Sequence, residues 1–231
     1  MKKYKLEFIK LITIILFLCS CNSVGLKQEL SEKIEKIINP VVEKIENDKK
    51  EKELEFDEMK TIFELIQKND ELCNDYRRQF YSSLEYNIIR ITNIIKIFHK
   101  VIEIQNDVAK KLELVHFIKS IIDRGSIFVQ NPLEIAILEI NKRKDDLINF
   151  NNTEKLKDIK NKINKMLGMQ QQWIKNIDKI IITYNDTTNL QTNSEELETY
   201  LKTTYENTLK SDSNEIYDLM IEIGRELQEN L

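Results

Sequence analysis

Four glycines and two prolines are spread through 231 residues, and long stretches between them contain no turn signal. A sheet reverses its chain every few residues and leans on glycine and proline at those reversals, so this scarcity points away from one and towards an all-α fold. The apolar residues agree, recurring at intervals of three and four.

Phe56, Met59, Ile62, Phe63, Ile66 and Leu72 fall on one helical face, and a longer helix turns Phe80, Leu84, Ile88, Ile91, Ile94, Ile95, Phe98 and Ile102 inward. A third runs through Leu112, Val115, Ile118, Ile121 and Ile122 to Gly125, the residue best suited to a left-handed C-cap. Asn131-Pro132 opens a fourth, because proline at the first helical position lacks only a donor that would have no partner. It carries 133–138 and runs towards Leu147. Thr153 caps a fifth helix holding Leu156, Ile159, Ile163 and Leu167, with Gly168 either a break or a weak point before Trp173, Ile177, Ile180, Ile181 and Tyr184. The stretch 185–193 reads as the clearest loop, and Ser194 as an N-cap with Glu195 and Glu196 in the first turn, where the helix dipole favours acids. Leu197, Tyr200, Leu201, Tyr205 and Leu209 line the next helix. Ile216, Leu219, Met220, Ile223 and Leu227 line the last, which starts near Asp212 or Ser213. The expected architecture is a bundle of six to seven helices over residues 54–231. Before it, Ile34, Ile37, Ile38, Val41, Val42 and Ile45 make a thin stripe around Pro40, so 21–53 is expected to be a flexible polar tether, partly helical.

At the N-terminus, Lys2, Lys3, Lys5 and Lys10 precede an apolar run over 11–18, broken only by Thr13 and well short of the roughly twenty residues a membrane-spanning helix needs. Leu18-Cys19-Ser20-Cys21 then resembles a bacterial lipobox, with an aliphatic residue three positions ahead of the modified cysteine and a small residue directly before it. The expected product is a secreted precursor whose signal peptide, residues 1–20, is removed and whose Cys21 is lipidated. Acyl chains contribute roughly 0.8 kcal/mol per buried CH₂, so two or three of them hold stably where one does not. The protein is expected to lie on a membrane without crossing it.

Cleavage removes four lysines and one glutamate, leaving 31 basic against 38 acidic side chains and a formal charge of −7. That balance argues against nucleic acid as a partner. Cys73 is then the one cysteine with a free thiol, so no intramolecular disulfide is expected, and with Asp70 and Asp75 nearby it reads as a buried structural thiol. His99 and His116 sit among apolar residues at helical spacing and read as core or boundary side chains, with no cluster that would bind a metal. The acid pairs Glu195-Glu196 and Asp145-Asp146 read as solvated helix ends rather than the facing carboxylates of a hydrolase. The isolated glycines form no phosphate loop, so neither a catalytic constellation nor a cofactor is expected. Trp173 is in register with Ile177 and Ile180 and reads as core rather than as an interface anchor. Lys142-Arg143-Lys144 reads as a solvated basic face, and Tyr76, Arg77, Arg78 and Tyr81 as a mixed surface patch.

The segment Asn131-Pro132-Leu133-Glu134-Ile135-Ala136-Ile137, with Lys142-Arg143-Lys144-Asp145-Asp146-Leu147, Ile181-Ile182-Thr183-Tyr184-Asn185-Asp186, Glu196-Leu197-Glu198 and Tyr205, resembles the Borrelia complement-regulator-acquiring surface lipoprotein family. The resemblance implies a helical domain on the outer surface of a spirochaete's outer membrane, in a family best known for binding host complement regulators or complement proteins. Its complement-binding dimers use a long C-terminal helix, whereas here the last apolar stripe ends at Leu227, so a monomer is expected. No ligand-contact residue carries over by motif. The expected function is a non-enzymatic binding module for a host protein, serving complement evasion. The alternatives are a vector-tissue adhesin and a shielding, antigenically variable lipoprotein without a soluble ligand.

Overall fold

A computed structural model of the chain describes residues 2–48, 62–63, 70–103, 105, 107–149, 153–210 and 213–229. Every regular element among them is helical: α1 (Lys2–Asp48), α2 (Asp70–Ser83), α3 (Ile88–Glu103), α4 (Val108–Asp123), α5 (Asn131–Lys142), α6 (Thr153–Asp186), α7 (Thr188–Thr192), α8 (Ser194–Thr204) and α9 (Ser213–Gln228). Two π-helical segments, Arg124–Gln130 and Tyr205–Leu209, and a 3₁₀ segment, Lys144–Asn149, join them. The all-α bundle is as expected. Most of the expected helix around Phe56 to Leu72 lies outside the described residues, although Ile62 and Phe63 are helical and buried.

The packed body starts earlier than the tether reading allows. Leu30, Ile34, Ile38 and Ile45 are buried in the one continuous core, with Ile37, Val41 and Val42 packed against it. The narrow stripe is sufficient because it is not alone: it fills the gap between α5 and α6. Asp48 closes the far turn of this helix by accepting from the Ser82 hydroxyl at 2.7 Å. Residues 30–48 are therefore part of the domain and not a flexible leader. Pro40 lies inside α1 on its exposed side, where water can satisfy the Lys36 carbonyl that loses its donor.

The long helix expected through Phe80 and Ile102 is broken between Ser83 and Ile88. Glu85 and Tyr86 adopt left-handed backbone, with φ of 59° and 52°, a conformation that costs a non-glycine residue about 1–2 kcal/mol. The surroundings hold it: the Tyr86 N–H donates to the Tyr81 carbonyl at 2.9 Å, and the Arg90 guanidinium donates to the Leu84 carbonyl at 2.9 Å. The Asn87 side chain accepts from the Arg90 N–H at 3.0 Å and caps α3. The break leaves Ile88 half exposed rather than inward.

Gly125 ends no helix. None of the described glycines has positive φ, and the backbone stays helical from α4 through the first π segment into α5. Its role is close approach, since a Cβ there would lie 2.8 Å from both the Ser83 hydroxyl and a Trp173 ring carbon, and 3.1 Å from Phe80. Gly168 meets nothing within 4 Å and lies within the unbroken 34-residue α6, so it is a weak point and not a break. The expected loop 185–193 is mostly the one-turn helix α7, whose Gln191 amide donates to the Tyr184 and Asn185 carbonyls and closes the end of α6. Asn193, not Ser194, caps α8, accepting from the Glu195 and Glu196 N–H groups at 3.0 and 3.3 Å.

Contacts along α6 give the bundle two ends. At the near end, Glu29 of α1 feels Lys160, Lys155 pairs with Glu229, and the Arg143 guanidinium donates to the Leu227 carbonyl at 3.0 Å. Higher up, Gln171 reaches Glu85 and Asp178 pairs with Arg90, so α3 runs parallel to α6 and its turn into α4 marks the far end, beside α7 and the start of α8.

Candidate functional site

Most of the charged side chains singled out in the sequence are structural. Arg78 is largely withdrawn from solvent and makes a bidentate pair with the buried Glu134, both N···O distances being 2.9 Å, and its Nε donates to Asp75 at 3.1 Å. Burial opposes its charge, but Glu134 and Asp75 outweigh that and hold the guanidinium above its usual pKa. The seam continues inward: Gln130 donates to Glu134 at 2.8 Å, and Gln170 donates to Gln130 at 2.7 Å. Tyr76 and Tyr81 are buried as well, with the Tyr76 hydroxyl donating to Asp123 at 2.5 Å. The expected surface patch is thus interior for Tyr76, Arg78 and Tyr81. A fully paired seam of this kind ties α2, α5 and α6 in a single register.

Trp173 is in the core, only 4% exposed, with its indole N–H donating to Ser83 at 3.2 Å. Of the basic run, Arg143 is engaged by Glu139 and the Leu227 carbonyl, while Lys142 and Lys144 stand exposed. His99 is half-buried beside Glu103, and His116 is exposed, on the surface rather than in the core. Both acid pairs are exposed at helix starts, as expected. The side chains of Cys21 and Cys73 lie outside the described residues.

A second charged cluster, which sequence reasoning missed, locks α9 on α6. Lys162 contacts Asp158 at 2.7 Å, Glu222 at 3.1 Å and Glu226. Burial opposes the ammonium's charge, but the three carboxylates outweigh it and raise its pKa. For Glu226 burial is the largest influence, and with the neighbouring Asp158 it outweighs Lys162, so this carboxyl is held above its usual range while Asp158 is held below by Lys162. Lys, Asp and Glu at these spacings are common on any helix surface, so the sequence held no signal for the cluster.

What remains for a ligand is the surface. At the far end a shallow open groove between α7 and α8 is lined by Leu190, Asn193, Glu195, Glu196, Thr199, Tyr200 and Thr203. Large apolar side chains stand exposed on the same half: Val108 is 83% exposed, Ile89 75%, and Leu112 and Ile182 59% each. The carboxylates of the groove come from one helical turn and share one side, so they rim a contact surface and do not flank a reacting group. A small, partly open recess between the two π segments, lined by Val129, Trp173, Asn176 and Thr208 among others, has a volume of about 20 Å³, room for one water. Among the described residues no group of three or more His, Cys, Asp or Glu is placed to hold a metal ion. No described helix is long and apolar enough to cross a membrane.

Comparison with known proteins adds to this geometry. A family model described as Borrelia Bbcrasp-1 domain containing protein matches residues 66–225. No curated protein matches the chain. Among solved structures, a Borrelia spielmanii protein orthologous to B. burgdorferi BBA64 is 22% identical with a TM-score of 0.70, covering 89% of this chain and 97% of that one. The Lyme disease associated outer surface protein BBA65 of Borrelia burgdorferi is 23% identical with a TM-score of 0.71, covering 85% and 99%. The Borrelia burgdorferi outer surface lipoprotein BBA64 is 18% identical with a TM-score of 0.65, covering 91% and 97%. At these identities the likeness is one of fold.

Proposed function

Since the chain belongs to the Borrelia Bbcrasp-1 domain family, we propose that it is a lipoprotein of the bacterial outer surface, lipidated on Cys21, and that it acts as a non-enzymatic module binding a host protein, in the service of complement evasion. The similar structures are those of an outer surface protein and an outer surface lipoprotein, which supports that location. The observation that carries the binding role is the exposed apolar set at the far end, Val108, Leu112, Ile182 and Ile89, beside the groove floored by Leu190 and edged by Tyr200. Interior charges, in contrast, are consumed in holding helices together. A rigid helical face with isolated apolar anchors and a polar rim suits protein recognition, where a few desolvated side chains supply most of the affinity.

The test is capture from human serum by immobilised residues 22–231 at physiological salt, with mass spectrometry of what is retained. A complement regulator or a terminal complement component, lost when Val108 and Leu112 are both changed to Ser, is the expected result. An empty column, or capture that ignores both substitutions, removes this reading and leaves vector attachment or shielding.

A further inference from the structure

The proposed anchor and the packed body are close in sequence. Only eight residues separate Cys21 from Leu30, which is already in the core, and the backbone between them is helical. The nine steps along the chain from Cys21 to Leu30 span about 14 Å as a helix and at most about 32 Å fully drawn out. Leu30 enters the bundle at its near end, beside Glu29, whose carboxyl is held low first by Lys33 and then by Lys160 across the α1–α6 interface. From Lys160 to Asp186, α6 rises through twenty-six residues, about 39 Å. A leader of this length cannot invert the bundle so that the far end meets the surface that holds the lipid while the near end points away from it.

We infer that the near end of the bundle is a membrane-apposed face, resting on the headgroup layer that carries the protein's own lipid. This inference rests on Cys21 being the anchor, and it deepens the proposed function by assigning the far end to any large partner. The residues at the near end fit a zwitterionic headgroup layer. Val24 and Leu26 are exposed just after the anchor, and exposed Lys142 and Lys144 stand next to exposed Asp145 and Asp146, with exposed Glu154 following in the next helix. With both signs interspersed there is no net field to draw anionic lipid, so apposition comes from the short leader and is insensitive to salt.

The experiment uses the unaltered lipoprotein in phosphatidylcholine vesicles and a bulky, membrane-impermeant amine reagent, with each lysine's rate normalised to that of the denaturant-unfolded chain by mass spectrometry. Lys142 and Lys144 at the near end are expected to react several-fold more slowly than Lys110, Lys111 and Lys179 towards the far end, at low and high salt alike. All five are exposed in the fold itself. Equal or reversed rates with Cys21 carrying lipid in the same spectrum overturn the apposed face while leaving the anchor intact. An unmodified Cys21 overturns the anchor, and the face with it.

Discussion

Gly125 shows what one missing methyl group permits. Its hydrogen lets Trp173, Ser83 and Phe80 meet at a distance no Cβ would tolerate, so Gly125→Ala forces the indole and its bond to Ser83 to move. Overpacking of this kind costs typically 1–3 kcal/mol. A matching drop in chemical-denaturation stability is expected, with a red shift in emission from Trp173, the chain's single tryptophan. The glycine stood out in the sequence, but as a C-cap, because a sequence shows which residue can take a left-handed backbone and not which residue something else must touch. The converse error occurred at Glu85 and Tyr86, where left-handed backbone is held by the Tyr81 carbonyl and the Arg90 guanidinium, on residue types that give no hint of it in the sequence. Glu134 was legible only as part of a family resemblance. The structure gives it a reason, a bidentate bond to Arg78 from another helix.

At the level of helices, the pairing of α6 with α9 depends on one lysine among three carboxylates. Lys162→Met leaves Asp158, Glu222 and Glu226 facing one another, and breaking such a partly buried cluster costs about 3 kcal/mol at pH 7. In the native protein the raised Lys162 pKa gives a contribution that is complete below the unfolded lysine's value and is lost as pH rises through the folded one. Without the lysine that holds Asp158 low, and with burial still raising Glu226, this pair takes protons more readily folded than in the native protein, so the variant's deficit should narrow between pH 7 and pH 4.5. Thermal melts at both values check this, and a deficit that is constant or widens contradicts it. The apolar faces of the described helices were legible because core positions recur every three or four residues. Helix ends were less so: a one-residue shift between Ser194 and Asn193 leaves the same polar signature, and a one-turn helix such as α7 has too few residues to show a period.

For the molecule as a whole, the decisive departure from the sequence reading is the start of the folded body. A stripe of isoleucines one residue wide looks too thin to pack, but the groove between α5 and α6 supplies the missing walls, and no local pattern announces a groove. A chain begun at residue 54 lacks Leu30, Ile34, Ile38 and Ile45, each buried and each worth about 2–5 kcal/mol if truncated to alanine. It should therefore melt without cooperativity while 22–231 melts sharply, as followed by circular dichroism. The parallel packing of α1 and α6 has a mechanical meaning too. Glu29 lies within electrostatic reach of Lys160 at one end, and at the other Asp48 holds Ser82, beside the Ser83 that binds Trp173. A tug between the N-terminal end of α1 and a weight hung on the far end of α6 loads this seam in shear. Its contacts resist together instead of peeling apart one by one, so the bundle is built to bear tension along its own length.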